Sequence, residues 1–249
     1  MVFLCETKLS GREMQTVRAK FDGYDGMEVD SVGRSGGLAF WCKKGVRCEI
    51  LSASVHYMDF VVRDDEGDWR VTGFYGWPAV TDRHLSWQLL HISGRQSNLP
   101  WVCVGDFNEI LSANEMKGGS RAQWQMNNFR DAMDDCGLVD VQFEGYAFTW
   151  DNGQAGDTNR QSRIDRTMGT TEWLESFPYS YLIHMEREWS DHSPIKLVFD
   201  RREVKREGMH KFRFEQVWVG EDGCEEAIRR GFERGGLDVM NVLGASAKV

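Results

Sequence analysis

Hydrophobic and polar positions along the chain change period repeatedly, which predicts strands and helices in succession. Residues 101–104 are apolar at every position, as in a strand covered on both faces. Residues 57–63 and 69–75 are two further strand-like runs, and the acidic loop between them predicts a hairpin. Residues 122–136 carry apolar side chains at intervals of four and three, the pattern of an amphipathic helix. The sequence therefore predicts an α/β fold.

Two shorter helices are predicted from their start signals. Ser10 and Glu13 have the spacing of a capping box, in which each side chain accepts a hydrogen bond from the other residue's backbone N–H. Thr81 or Asp82 can begin a second helix that runs through His91. We expect the apolar side chains of that helix to face inward, and these are Leu85, Leu89 and Ile92.

Composition favours a folded protein without a membrane span. With 249 residues, 41% hydrophobic content and ten tryptophans, the chain can form one large domain or one domain with a tail. No apolar stretch approaches the roughly 18 residues of a membrane span, and no secretory signal opens the chain. The cysteines form no Cys-x-x-Cys pair, so we interpret them as reduced and expect an intracellular protein. They are Cys5, Cys42, Cys48, Cys103, Cys136 and Cys224.

The charge is negative and unevenly distributed. The chain has a net charge of −9, and residues 201–249 hold ten Lys/Arg against nine Asp/Glu. Residues 1–200 therefore carry a net charge of −10. A protein that relies on broad phosphate contacts is usually basic. We expect either that metal ions mediate contact with an anionic substrate, or that the substrate is not a long polyanion.

Polar groups follow the predicted strands, and the most informative of them come directly after residues 101–104. The segment reads Gly105-Asp106-Phe107-Asn108-Glu109. Side chains alternate along an extended chain, so Asp106 and Asn108 point the same way. Side by side, a carboxylate and a carboxamide can hold a water and a substrate oxygen together. On this segment alone, a turn with both residues as turn formers is an equally good interpretation.

Four other polar segments have the same character. Each alone has an ordinary interpretation: Glu6 as a surface group, Tyr75 as a core residue, and Asp165 as a structural acid salt-bridged to the arginines beside it. The adjacent Asp191 and His192 suit metal binding combined with proton or phosphate chemistry. The segments are Cys5-Glu6-Thr7-Lys8, Phe74-Tyr75-Gly76, Arg163-Ile164-Asp165-Arg166 and Ser190-Asp191-His192-Ser193-Pro194.

Taken in this order, the five segments resemble those of the endonuclease/exonuclease/phosphatase superfamily. That superfamily includes exonuclease III, apurinic/apyrimidinic endonucleases, deoxyribonuclease I and inositol polyphosphate 5-phosphatases. The surroundings of Glu6 and Asn108, with Phe148-Thr149-Trp150, are similar to endonuclease domains of plant LINE-type (non-LTR) retrotransposons. The resemblance implies a DNase I-like four-layer α/β sandwich, with two mixed β-sheets packed face to face and helices outside.

The resemblance also implies a division of the chain. Residues 1–200 would form the endonuclease/exonuclease/phosphatase domain, and residues 201–249 a charged linker with a partial helical tail. Residues 209–218 resemble the segment that leads to a reverse transcriptase region in such elements. The family begins with a strand ending in Asn, whereas this chain opens at Met1 on the strand that delivers Glu6. We therefore expect the first strand to be missing and an N-terminally truncated chain of reduced or lost activity.

By the same resemblance, the segments hold a divalent ion and an activated water. Glu6, Asp106 and Asp191 would bind the ion, either Mg2+ or Mn2+, since hard cations prefer oxygen ligands. Asp106 would also orient or deprotonate the attacking water, and Asn108 would hold a phosphate oxygen beside it. His192 would contact the phosphate.

Two further residues would support the phosphate contact. Asp165 would fix the tautomer of His192, and Tyr75 would donate a hydrogen bond to the phosphate.

The function implied is divalent-metal-dependent hydrolysis of DNA phosphodiester bonds, of the nicking type that primes retrotransposition. We expect DNA and a reverse transcriptase region in cis as partners, no membrane partner, and a nuclear location. Two alternatives stay open: a phosphatase acting on a small phosphorylated substrate, and a non-catalytic retroelement remnant.

Overall fold

The structure is a computed structural model, and it describes residues 1–33 and 35–202. Cys224 and the predicted tail segment 209–218 lie outside the described residues. In the described part of the chain, no helix combines the length and the apolar character needed to cross a membrane. The five cysteines described there are all free thiols, with Cys103 fully buried in a strand.

The described residues form four α-helices and fifteen strands. The helices are α1 Gly11–Arg18, α2 His84–Gly94, α3 Gln123–Asp135 and α4 Thr171–Ser176. The first eight strands are β1 Val2–Leu4, β2 Tyr24–Val32, β3 Ser35–Lys43, β4 Arg47–Ala53, β5 Tyr57–Arg63, β6 Trp69–Tyr75, β7 Trp101–Asp106 and β8 Met116–Lys117. The others are β9 Leu138–Asp140, β10 Phe143–Gly145, β11 Trp150–Asp151, β12 Gln161–Ser162, β13 Asp165–Thr170, β14 Tyr181–His184 and β15 Ile195–Val198.

The largest sheet has six strands in the order β4-β5-β6-β7-β13-β9. Strands β6 and β7 are parallel, joined by a crossover that contains α2, while the other neighbours in this sheet are antiparallel. Backbone hydrogen bonds divide the remaining strands into three sheets, β1-β3-β2, β10-β14-β15 and β11-β12-β8. The α/β class is confirmed, and the strands are distributed over four hydrogen-bonded sheets.

Hydrophobic clusters stack these elements in layers. The largest cluster joins side chains of β3, β5, β6, β14 and β15, so it packs two of the small sheets against the six-stranded sheet. A second cluster lies between the other face of the six-stranded sheet and helices α2 and α3. A third packs α1 on the outer face of β1 and β3. The layers run helix, sheet, sheet, helix, as the predicted sandwich requires.

Most of the predicted local elements are confirmed. The Ser10 backbone N–H donates to Glu13 Oε2 at 2.9 Å and the Ser10 hydroxyl accepts from the Glu13 N–H, so the capping box begins α1. Helix α3 buries Met126, Phe129 and Met133, as its periodicity predicts. The hairpin strands β5 and β6 have the predicted bounds.

The predicted inward face of α2 was wrong at Ile92, which is 59% exposed, whereas Leu89 is half-buried against the second cluster. The helix follows Arg83 rather than Thr81 or Asp82, and the side chains that it buries include Trp87 and Leu90. Trp87 decides the orientation, because its indole stacks on Phe129 of α3 with ring centroids 4.6 Å apart. Ile92 lies two residues beyond Leu90, which is more than half a turn around the helix.

Strands β1 and β15 are edge strands of the described sheets. β1 pairs only with β3, and β15 only with β14. Side chains of both, including Phe3 and Leu197, pack against the largest core cluster. The expectation of a missing first strand stays a prediction.

Candidate active site

Three predicted site residues lie side by side on the neighbouring strands β6, β7 and β13 of the six-stranded sheet. Tyr75 stands opposite Asp106 in the β6–β7 pair, and Asp106 stands opposite Asp165 in the β7–β13 pair. Directly opposite residues project from the same face, and neighbouring strands are about 4.8 Å apart. All three residues are buried. Together with His192 they form what we call the polar row.

His192 joins the polar row through Asp165. Its Nδ1 lies 2.9 Å from Asp165 Oδ2. The loop that carries His192 is fixed by a backbone bridge to Trp150 and by a 2.7 Å hydrogen bond from the Ser193 N–H to the Thr149 carbonyl. The Thr149 hydroxyl in turn accepts from the Asp165 N–H at 3.0 Å. Residues 149–150 therefore hold both members of the pair in place.

Asn108 turns back onto Asp106. It has a φ of +56°, a left-handed conformation that asparagine tolerates better than most residues. Its backbone N–H donates to Asp106 Oδ1 at 2.7 Å, while its Nδ2 donates to Asp106 Oδ2 at 2.9 Å and to the Gly76 carbonyl at 3.0 Å. The turn and the site are thus one feature, since the turn orients the acid. The predicted contact of Asn108 with a phosphate oxygen stays a prediction.

Glu6 lies at the Tyr75 end of the polar row. The Tyr75 hydroxyl donates a hydrogen bond to Glu6 Oε1, and Lys8 Nζ lies 3.9 Å from Glu6 Oε2. Burial and the Glu6 carboxylate raise the pKa of Tyr75, so its hydroxyl stays protonated. The Glu6 side chain is 45% exposed and follows β1 at a φ of +52°. Its carboxylate is therefore open to a ligand from solvent.

Asp191 lies near both His192 and Lys8, and Lys8 in turn lies 3.9 Å from Glu6. Trp150 Nε1 donates to Asp191 Oδ2 at 3.1 Å. The slight burial of Asp191 raises its pKa, but the Trp150 hydrogen bond and the His192 charge lower it more, and the net shift is downward. Asp191 is therefore ionised at neutral pH.

Charges in the middle of the polar row shift two pKa values in the same direction. Burial and the neighbouring Asp165 carboxylate raise the pKa of Asp106 to about 8, although His192 and the Asn108 N–H oppose them. Burial lowers the pKa of His192, but the hydrogen bond and charge of Asp165, with Asp106 and Asp191 adding, raise it to about 9. At neutral pH the row holds an imidazolium beside a carboxyl group poised to exchange a proton.

The arginines that flank Asp165 in sequence do not pair with it. Arg163 Nη1 lies 2.7 Å from Asp140 Oδ2 and 2.9 Å from Glu115 Oε1, and Arg166 Nη2 lies 2.7 Å from Glu115 Oε2. The interpretation of Asp165 as a salt-bridged structural acid was wrong, because its partner is His192. Glu115 and Asp140 were missed, and the available signal was that two buried arginines need carboxylate partners.

A sequence comparison gives the family of the chain. The sequence profile described as the endonuclease/exonuclease/phosphatase family matches residues 1–192, which contain every predicted site residue. This chain belongs to the endonuclease/exonuclease/phosphatase family. Membership places it among the nuclease- and phosphatase-type hydrolases. A search of curated proteins gave no match.

Solved structures of similar fold agree with this family. The catalytic domain of Xenopus laevis APE2 has a TM-score of 0.60 and 17% identity, covering 79% of this chain and 82% of that one. The Neisseria 3′ phosphatase NExo, bound to a product DNA hairpin, has 0.59 and 16%, covering 80% and 88%. The endonuclease domain of TRAS1, a telomere-specific non-LTR retrotransposon, has 0.54 and 14%, covering 82% and 100%. At these identities the likeness confirms the DNase I-like fold.

The donors present at this family site fit a divalent cation. Among the described residues, ligand atoms of Asp106, Asp165 and His192 lie within 4.8 Å of one another. The other two predicted ligands, Glu6 and Asp191, lie beside this group but outside it. A cation bound here would relieve the repulsion between Asp106 and Asp165 that raises the Asp106 pKa. The oxygen-rich donor set is of the kind that hard cations prefer.

Proposed function

We propose that this chain is a divalent-metal-dependent phosphodiesterase that cleaves DNA. One observation carries the proposal. The buried Asp106 carboxylate is fixed by two hydrogen bonds from Asn108 and stands next to the Asp165–His192 pair. This arrangement presents a proton acceptor and a cationic donor to the same small volume, which is what attack of water on a phosphodiester requires.

The metal-binding residues in this proposal are Glu6, Asp106 and Asp191, which would hold Mg2+ or Mn2+. The bound ion would neutralise the charge that develops on the transferring phosphate. Asp106 would accept a proton from the attacking water, because a bound cation would lower the pKa that burial and Asp165 raise and so keep this carboxylate ionised. Asn108 keeps the Asp106 carboxylate aimed at that water.

His192 stabilises the phosphate in this proposal. Its Nδ1–H donates to Asp165, which leaves Nε2–H to donate to a non-bridging phosphate oxygen. Asp165 orients the ring and favours its charged form. The Tyr75 hydroxyl, which donates to Glu6, is placed to hydrogen-bond the phosphate once Glu6 is engaged with a cation.

DNA is the substrate we propose, and nicking is the reaction. Two proteins of similar fold support the choice: one carries a product DNA hairpin, and another is the endonuclease domain of a non-LTR retrotransposon. The surroundings of Glu6 and Asn108 favour a LINE-type element with a reverse transcriptase region in cis and a nuclear place of action.

A plasmid nicking assay on the full chain tests the proposal. We expect conversion of supercoiled to open circular DNA with Mg2+ or Mn2+ and none with a chelator. Asp106→Asn and His192→Gln should each lower the nicking rate on the order of 10²-fold or more, while Asp65→Asn, which removes an exposed surface acid, should not. Nicking by Asp106→Asn at the wild-type rate, or nicking that needs no metal, would overturn the assignment.

A phosphatase acting on a small molecule is the second candidate, and the net charge of −10 on residues 1–200 favours it. The two functions differ in product. Release of inorganic phosphate from phosphorylated sugars or inositols, without plasmid nicking, would select the phosphatase. A non-catalytic remnant would show neither reaction.

A further inference from the structure

Two tryptophans lie just beyond the two ends of the polar row. Trp77 comes two residues after Tyr75, and Trp189 comes three residues before His192. The row crosses β6, β7 and β13, about 10 Å at the usual strand spacing, and the ligand atoms of His192 lie within 4.8 Å of those of Asp106 and Asp165. Three residues of chain extend at most about 10 Å, so Trp189 cannot lie far from His192.

Trp189 is almost completely exposed. Its exposed fraction is 97%, and the whole loop from Met185 to Ser190 is open to solvent. Tryptophan carries the largest apolar surface of any side chain and is most often covered in folded proteins. At Trp189 the indole faces are available for a ligand that binds the adjacent His192.

Trp77 forms a preorganised surface at the other end. Its ring stacks on His56, with centroids 3.4 Å apart and planes inclined by 18°. The His56 Nδ1 lies 2.9 Å from the Tyr75 carbonyl oxygen, and the Trp77 N–H donates to the Ser86 hydroxyl at 2.9 Å. His56 thus covers one face of a half-buried indole that is anchored beside the polar row.

The charge of the protein makes such aromatic contacts useful. Residues 1–200 carry a net charge of −10, so broad phosphate contacts cannot supply most of the affinity for a polyanion. Stacking on an aromatic ring is independent of phosphate charge and works with every base, because each base has a π-face.

We propose that Trp77 and Trp189 stack on nucleobases flanking the phosphodiester that the polar row holds. The ligand is then a nucleic acid strand with unstacked bases at the point of cleavage, and a small phosphorylated molecule would leave both indoles unused. The placement of the phosphate rests on the proposed function, whereas the stacking can be measured without any chemistry.

Binding of two labelled oligonucleotides to the full chain tests the proposal. Both are single strands of about 12 nucleotides, and one carries bases while the other has the same sugar–phosphate backbone without them. Fluorescence anisotropy is measured with a chelator present, which prevents cleavage. Trp189→Ala should raise the Kd for the base-containing strand about tenfold and leave the base-free strand unchanged.

Matched variants complete the experiment. Trp189→Phe should restore most of the affinity, and Trp77→Ala should act like Trp189→Ala. Tyr179→Ala removes an aromatic that is 46% exposed near the start of β14, at the opposite end of that strand from His184, and should change neither Kd. Equal losses on both strands, no loss on either, or no binding by the wild-type chain would each overturn the proposal.

The outcome separates this inference from the proposed function. Base-dependent binding through Trp189 without metal-dependent nicking would support the stacking proposal and refute the proposed phosphodiesterase function. Nicking by the wild-type chain, together with unchanged binding by Trp189→Ala, would support the proposed function and refute the stacking proposal.

Discussion

Two of the aspartates buried in the six-stranded sheet, Asp59 and Asp106, have opposite surroundings. Asp59 on β5 is fully buried and accepts hydrogen bonds from Arg70 Nε, 2.9 Å from each carboxylate oxygen, and from the Thr72 hydroxyl at 2.7 Å. Asp106 on β7 is nearly as buried but stands opposite a second carboxylate, Asp165. The chain neutralises the first acid with its own arginine, and burial beside another acid raises the pKa of the second.

The contrast predicts different roles for the two acids. Breaking a buried pair leaves an uncompensated charge, so Asp59 and Arg70 stabilise the fold only as a unit. Asp106 costs stability when ionised and suits a ligand that brings positive charge. Strain of this kind is expected where a site is built for function rather than stability.

Replacing Asp106 gives the largest expected effect on activity. Asp106→Asn removes the proton acceptor, and we expect the nicking rate to fall on the order of 10²–10³-fold or more. The same change should raise the free energy of unfolding of the metal-free chain at pH 9 by about 1–2 kcal/mol, because it removes a repelled charge. Urea denaturation beside the nicking assay measures both, and a less stable variant would contradict our account.

Replacing Asp59 should have the opposite profile. Asp59→Ala leaves the Arg70 guanidinium buried without its partner, and we expect a loss of about 3–5 kcal/mol in urea denaturation. The control is Glu49→Ala, which breaks an exposed pair with Arg63 and should change the stability far less. Similar losses in the two variants would show that burial does not decide the difference.

Gly105→Ala tests how closely β6 and β7 must pack beside Asp106. Gly105 has a φ of +147°, and an added Cβ would lie 2.0 Å from the Phe74 carbonyl oxygen on β6. We expect a loss of about 2–3 kcal/mol and weakened nicking, since β6 and β7 must separate beside Asp106. Gly137→Ala is the control: its φ is +63° but the space is open, so about 1 kcal/mol is expected.

Titration of the metal-free chain tests the sign of the two raised pKa values. The pKa of His192 is raised to about 9, so the stability it contributes is complete below pH 6.5 and is lost as the pH rises through 9. The raised pKa of Asp106 acts with the same sign up to about pH 8. We expect the free energy of unfolding to fall between pH 6.5 and 9, and we expect His192→Gln to flatten this fall. Stability that increases over this range would refute the assignment.

Local pattern was sufficient for much of the fold. The periodicity of residues 122–136 predicted the buried face of α3, and the two runs of the hairpin gave β5 and β6 their bounds. The same reasoning did not predict the buried face of α2, because that face depends on the stacking of Trp87 on Phe129 of α3. Periodicity predicts that a segment forms an amphipathic helix, whereas the element packed against the helix determines which of its faces is buried.

The sequence predicted three residues that the structure groups together, but it did not predict the contacts around them. The ordered segments identified Asp106, Asp165 and His192, which the structure brings together. The pairing of Arg163 and Arg166 with Glu115 and Asp140 was not foreseen, since the partners lie 23 to 51 residues apart and meet only through the register of strands. The left-handed turn at Asn108 was visible as a turn signal, but its role in holding Asp106 was not.

The polar row also bears on how the protein is made. Its members come from β6, β7, β13 and the loop before β15, and Asp165 meets His192 only after that loop has been synthesised. Domains emerge from the ribosome from the N-terminus at about 5–20 residues per second, and contacts between distant segments form late. A nascent chain that already displays Asp106 still lacks the imidazolium beside it. The polar row is therefore complete only after the whole matched region, residues 1–192, has left the ribosome.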